Sequence, residues 1–144
     1  MYSRSMIEAD TVMTGEAITE PALRRLVEEF YTRVRADPTL GPVFEDAVED
    51  WPEHFDTLAA FWSSVTLASR RYKGNPMLVH MRQGSRITPD MFDRWLHIWD
   101  ETTADLMRPD AAALLQDRAA RIAESLKLGL FFRPDRNPLR ARPG

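Results

Sequence analysis

The stretch Tyr72-Lys73-Gly74-Asn75-Pro76-Met77-Leu78-Val79-His80 runs from a turn signal into a short apolar segment that ends on a histidine. Proline suits the first turn of a helix, where its missing N–H leaves no hydrogen bond unmade. His80 follows Pro76 by four residues, so one helical turn would bring it to a defined face. A neutral imidazole presented in this way can be an axial ligand to iron. Taken alone, the pattern favours a helix-end histidine without a special task, and the case for a ligand depends on what the other helices bring to the same point.

Composition limits the class of protein. The chain has 144 residues, which is typical of one domain with a substantial core, and a net charge of −3 gives no electrostatic reason to expect nucleic acid or an anionic membrane as partner. The absence of cysteine excludes disulfides, Fe–S clusters and thiolate zinc sites. No segment approaches the roughly 20 apolar residues of a membrane helix, and the first residues lack the apolar core of a signal peptide. We therefore expect a cytoplasmic protein.

Four long segments carry apolar residues at helical spacing, and three of them begin with a capping signal. The spacing predicts helices from Thr19 to about residue 37, from Asp50 to about 69, from Thr88 to about 106 and from about 111 to 130. A short helix or turn is expected at 40–44, and no segment alternates as a strand does. The class is all-α, with a flexible leader at 1–18, one domain at 19–132 and a disordered, proline- and arginine-rich tail at 133–144.

Most enzyme signatures are absent from the sequence. No two histidines stand three or four residues apart, and neither the Glu-x-x-His motif of di-iron bundles nor the His-Glu-x-x-His motif of zinc proteases occurs. There is no glycine-rich phosphate loop and no serine in a nucleophile elbow. The acidic cluster of Asp46, Glu49 and Asp50 is typical of a solvated charge run, so we do not interpret it as a metal site.

Polar side chains interrupt the apolar faces of three predicted helices. They are Tyr31, His54 and Trp95. Each alone fits an ordinary role, as a core aromatic residue with its polar end satisfied or as a histidine near a helix start. Together with His80 they describe one axial ligand and three hydrogen-bond donors around an apolar slot, which is what haem and a ligand on its far side require.

The sequence resembles the group III truncated haemoglobins over roughly residues 23–130. The matching segments are Phe30-Tyr31 with Val34-Arg35 and Asp37, Leu40-Gly41-Pro42 with Phe44, Trp51 with His54, Phe61-Trp62, Tyr72 to Pro76 with His80, Phe92 with Arg94-Trp95-Leu96, and Ile122-Ala123 with Ser125-Leu126. The resemblance implies a truncated globin fold, a two-over-two helical sandwich around a haem pocket, with haem b (iron protoporphyrin IX) as cofactor.

The resemblance also assigns roles to individual residues. His80 matches the proximal iron ligand, while the distal side, where a gas ligand binds, corresponds to Tyr31, His54 and Trp95. The apolar positions around the haem correspond to Phe30, Phe61, Trp62 and Phe92. The segment after His80 is Met81-Arg82-Gln83-Gly84-Ser85-Arg86, where the group commonly has an apolar, proline-containing one. Charge and proximity to His80 make Arg71, Tyr72 and Arg86 the candidates for contacts with the haem propionates.

The implied function is binding of O₂ and of other diatomic gases such as NO or CO. Hydrogen bonds from Tyr31 and Trp95 predict tight, slow-releasing O₂ binding, which suits conversion of nitric oxide to nitrate or peroxidase chemistry better than oxygen delivery. Two alternatives remain open at this point. One is an all-α interaction module without a cofactor, and the other is a six-coordinate haem protein for electron transfer or sensing, in which His54 also binds the iron. The sequence leaves the reductase partner and the choice between monomer and homodimer undetermined.

Overall fold

The computed structural model describes residues 15–74 and 87–131. This part of the chain forms five helices, α1 (Glu20–Ala36), α2 (Gly41–Ala47), α3 (Trp51–Leu67), α4 (Pro89–Leu106) and α5 (Pro109–Phe131). The predicted all-α class, with four substantial helices and a short one between the first two, is confirmed. His80 and the helical turn expected before it lie outside the described residues, as do Arg86, residues 1–14 of the predicted leader and the whole predicted tail.

The helix starts follow the capping signals in the sequence. The Thr19 hydroxyl accepts a hydrogen bond from the Ala22 N–H at 3.2 Å, and the Asp50 carboxylate accepts one from the Glu53 N–H at 3.0 Å. Each such cap stabilises a helix by about 1 kcal/mol. Thr88 has the extended backbone of an N-cap, but its side chain makes no capping hydrogen bond, so the proline that follows it is the stronger signal there.

Two helix pairs form the two layers of the fold. Helix α1 packs on α3, α4 packs on α5, and α1 also crosses α4. Trp99 lies fully buried where these layers meet. Its indole N–H donates to the Leu115 carbonyl at 3.1 Å, and its ring stacks on that of Trp62 with centroids 4.5 Å apart. Trp99 of α4 therefore connects α3 to α5 through the centre of the core.

Glu16, which the sequence pattern assigns to the leader, is paired with the link between α4 and α5. The Glu16 N–H donates to the Leu106 carbonyl at 3.0 Å, and the Arg108 N–H donates to the Glu16 carbonyl at 2.9 Å. Gly15 has a φ of +96°, and a Cβ there would lie 2.6 Å from the Met107 carbonyl carbon. This close approach therefore requires glycine.

The corner between α1 and α2 is held by the buried carboxylate of Asp37. It accepts hydrogen bonds from the Leu40 and Thr39 N–H groups at 2.9 and 3.0 Å and from Arg94 of α4 at 2.6 Å. Burial by itself raises the pKa of Asp37, but the Arg94 and backbone hydrogen bonds outweigh it and hold the pKa below its ordinary value. The ionised form of Asp37 therefore stabilises the folded state.

We expect Asp37→Asn to lower the free energy of unfolding at pH 7 by about 2 kcal/mol, because a charge-assisted acceptor of several donors is lost. Since the folded pKa is the lower one, the native state binds fewer protons than the unfolded state. The contribution is therefore complete above the unfolded pKa and is lost as the pH falls through the folded pKa. Urea unfolding of both proteins between pH 7 and pH 3 measures this, with Asp56→Asn, an exposed carboxylate paired with Arg24, as control. A deficit that does not shrink towards pH 3 would show that the charge of Asp37 is not the cause.

Candidate ligand-binding cavity

A cavity of about 540 Å³ lies between the helices, and all five contribute to its walls. This volume is in the range of small-molecule and cofactor sites. Most of the lining is aliphatic or aromatic, and the charged side chains among the lining residues described are Glu49, Asp50 and Glu53, at the end where α2 leads into α3. The cavity is thus mainly apolar, with its polar groups concentrated in a few places.

Tyr31 lies at the α1 side of the cavity. It belongs to the buried face of α1, is 5% exposed, and packs edge-on against the rings of Phe30, Phe44 and His54 at centroid distances of 4.7, 5.4 and 5.2 Å. Burial raises the pKa of Tyr31 far above its ordinary value, and a hydrogen bond with Trp95 offsets only part of this increase. The hydroxyl is therefore protonated throughout the physiological pH range.

Trp95 is placed to act as a hydrogen-bond donor towards Tyr31. An indole N–H can only donate, so the Tyr31 oxygen is the acceptor, and the hydroxyl proton of Tyr31 remains available for a second partner. The ring of Trp95 is held in place by the core, stacked parallel to Trp99 at 6.0 Å and edge-on to Phe30 at 5.5 Å. Trp95 and Tyr31 both line the cavity, so this prearranged donor faces it.

His54, on the first turns of α3, completes this polar group. Its ring lies edge-on to Tyr31 at 5.2 Å and to Trp51 at 5.5 Å. Its Nε2 atom is buried and has no hydrogen-bond partner among the described residues. Burial lowers the pKa of His54, which favours the neutral imidazole near pH 7. A buried polar atom without a partner beside a cavity points to a ligand that would supply one.

The other candidate residues divide into two groups. The ones that line the cavity are Phe61, Trp62, Tyr72 and Phe92. Phe30 and Arg71 are not among the lining residues. Phe30 packs in the core behind Tyr31 and Trp95, and the Arg71 guanidinium pairs with Glu20. Within the described ranges, no cluster of three or more His, Asp or Glu side chains could hold a metal ion by itself.

Several lining residues were assigned no role in the site from the sequence. They are mainly Leu40, Val43, Phe44, Ala47, Leu58, Ile122 and Leu126. Phe44, Leu58, Ile122 and Leu126 do lie on recognised apolar segments, which was the available signal. Periodicity shows that a side chain is turned inwards, but it does not distinguish a packed neighbour from a void.

The described residues fit one side of a haem group. A largely apolar ring suits the volume and lining of the cavity, and Tyr31 of α1, His54 of α3 and Trp95 of α4 bring a hydroxyl, an unpaired nitrogen and an indole N–H to its wall. This is the arrangement that a polar ligand on the ring's face would need. None of the described helices is long and apolar enough to cross a membrane.

Comparisons with known proteins agree with this geometry. The family model described as bacterial-like globin matches residues 16–127. The chain is 28% identical to the group 3 truncated hemoglobin ctb of Campylobacter jejuni over 123 residues, covering 83% of this chain and 96% of that protein. The crystal structure of group III truncated hemoglobin from the same species superposes with a TM-score of 0.75 at 27% identity, covering 83% and 97% of the two chains. The predicted resemblance is confirmed, and the chain belongs to the bacterial-like globin family, with the all-α fold of a truncated globin.

Proposed function

We propose that this protein holds haem b in the cavity and binds O₂, with NO and CO as further ligands. Membership of the globin family implies haem-based binding of diatomic gases. The observation that carries the proposal for this chain is the buried, unpaired Nε2 of His54 beside the protonated hydroxyl of Tyr31 in an otherwise apolar cavity.

Haem iron supplies the reversible binding of a diatomic gas once the group is in place. The protein's residues hold and orient it. Phe61, Trp62 and Phe92 provide apolar surface for the ring, and His80 is proposed as the proximal ligand on the basis of the family pattern. The polar side of the cavity then becomes the distal side, where the gas is bound.

Tyr31 is proposed as the main hydrogen-bond donor to the gas ligand. Its oxygen accepts from Trp95, which polarises the hydroxyl and turns its proton towards another acceptor. A hydrogen bond to a partly charged acceptor stabilises by about 1.5–3 kcal/mol, which corresponds to about ten- to a hundredfold in affinity. If this appears mainly in dissociation, O₂ is released slowly.

Slow release favours a role in which O₂ is retained for a reaction over one in which it is delivered. The proposed reactions are conversion of nitric oxide to nitrate and peroxidase-type chemistry, in which the donors of the distal side would polarise the O–O bond. The three acidic side chains at the α2–α3 end of the cavity also favour neutral molecules such as O₂, NO and hydrogen peroxide over anions.

The visible spectrum and haem content of the full-length protein test the proposal. We expect one haem per chain, a five-coordinate spectrum of the reduced protein and a stable spectrum under O₂. An apoprotein that takes up no haem on titration with hemin would contradict the proposal and favour an interaction module. A six-coordinate spectrum of the reduced, ligand-free protein would instead place His54 on the iron and favour electron transfer or sensing.

A further inference from the structure

The turn that leaves α3 has an unusual backbone. Ala68 and Arg70 both adopt left-handed conformations, with φ values of 57° and 62°. This region is sterically disfavoured for residues with a Cβ, and such residues persist where the surroundings determine the conformation. The contacts around residues 68–72 must therefore hold this turn in place.

A chain of hydrogen bonds connects the turn to the start of α1. The Ser63 hydroxyl of α3, which is fully buried, donates to the Glu20 carboxylate at 2.5 Å. The hydroxyls of Ser63 and Ser69 lie 2.7 Å apart, and the Arg71 N–H donates to the Ser69 oxygen at 3.3 Å. Since the only hydroxyl proton of Ser63 goes to the carboxylate, Ser69 supplies the proton between the two serines.

Glu20 also holds the turn at a second point. Its other carboxylate oxygen forms an ion pair with the Arg71 guanidinium. A single carboxylate on the first residue of α1 thus holds both the interior of the turn, through the serines, and its outer end, through Arg71. We call Glu20, Ser63, Ser69 and Arg71 the Glu20 clamp.

The residue that follows the Glu20 clamp is part of the cavity wall. The Tyr72 N–H donates to the Ser64 hydroxyl at 2.9 Å, and its ring packs edge-on against Phe61 at 5.1 Å. A Cβ on Gly74 would lie 2.6 Å from the Tyr72 hydroxyl oxygen, so the chain passes directly beside that group. Both Tyr72 and Phe61 line the cavity, and the position of the ring therefore follows from the conformation of the turn.

We propose that Glu20 is a positioning residue for the cavity, which acts by fixing residues 68–72 and thereby holding Tyr72 in the wall. The identity of the cavity's occupant rests on the proposed function, whereas the effect on the turn does not. In this role the Arg71 guanidinium is paired with the carboxylate of Glu20, which lies 51 positions earlier in the chain.

Hydrogen exchange of the full-length protein tests the Glu20 clamp without reference to haem. In Glu20→Gln, the peptide covering residues 66–74 is expected to exchange about tenfold faster than in the wild type, because the ion pair and a charge-assisted acceptor are lost. Glu29→Gln is the matched control, since it removes the same charge from α1 at a carboxylate that pairs with Arg33. Ser69→Ala breaks the same chain of hydrogen bonds without altering α1, and should accelerate the same peptide.

A positioning role also predicts that haem is lost about tenfold faster from Glu20→Gln than from Glu29→Gln, measured by transfer to an excess of a haem-free globin. Unchanged exchange of 66–74 in both Glu20→Gln and Ser69→Ala would overturn the proposal. Equal acceleration in all helices would also overturn it, because Glu20 would then serve overall stability alone. If the wild type bound no haem while the local exchange still rose, the proposed function would fail and the Glu20 clamp would stand.

Discussion

Replacing His80 with alanine is expected to lower the affinity for haem by more than about 100-fold. Loss of an outer partner of a metal ligand already reduces metal affinity about 10- to 100-fold, and here the proposed axial ligand itself is removed. Titration of the variant with hemin, followed in the Soret region, measures the affinity. Added imidazole should restore part of the five-coordinate spectrum of the reduced protein, because it can occupy the place of the lost side chain.

The other two histidines provide controls for this experiment. His97 is exposed on α4 and lies 3.3 Å from Glu101, so His97→Ala should leave haem binding unchanged. His54→Ala should retain haem while altering the kinetics of gas binding, since His54 lies beside Tyr31. The assignment is wrong if His80→Ala keeps normal haem affinity, and loss of haem in His54→Ala alone would make His54 the axial ligand.

Local signals in the sequence predict the helices well because each helix start depends on a few neighbouring residues. Thr19 and Asp50 cap the helices that follow them, and the apolar face of α1 is the face that is buried. Pairings between distant segments carry no such signal. Glu16 pairs with Met107, and Arg71 pairs with Glu20. Residue spacing predicts contacts within one helix or strand, but not contacts between residues so far apart in sequence.

In the candidate site, too, the sequence pattern does not predict which of two neighbouring residues faces the cavity. Phe30 and Tyr31 are adjacent and both are buried, yet Tyr31 lines the cavity and Phe30 fills the core behind it. The family resemblance assigns both residues to the site. Successive side chains of a helix point in directions that differ by only about 100°, so periodicity does not tell which of the two faces the cavity. The packing of Trp95 and Trp99 around Phe30 decides which of the two faces the void.

Because Tyr31 and Trp95 are neighbours in the cavity wall, Tyr31→Phe should change the hydrogen bonding of Trp95 as well as remove the tyrosine hydroxyl. Trp95 is placed to donate to the Tyr31 oxygen, and in Tyr31→Phe its N–H would lose this acceptor in the cavity wall. A donor left without a partner in a largely apolar cavity is unfavourable, by up to about 1–3 kcal/mol, so we expect the indole N–H to donate to the proposed gas ligand instead. The two residues are therefore coupled, and single substitutions underestimate what they contribute together.

We expect Tyr31→Phe to accelerate O₂ dissociation about tenfold, and the double variant with Trp95→Phe to accelerate it about 100-fold or more. Stopped-flow measurements of the wild type, Tyr31→Phe, Trp95→Phe and the double variant give the coupling free energy. His97→Ala, an exposed substitution on the same helix as Trp95, should leave the rate unchanged. Because burial raises the pKa of Tyr31, its hydroxyl remains a donor, and the wild-type rate should show no tyrosine titration between pH 6 and pH 9. An unchanged rate in Tyr31→Phe, with an equally unchanged rate in the double variant, would remove both residues from the distal site.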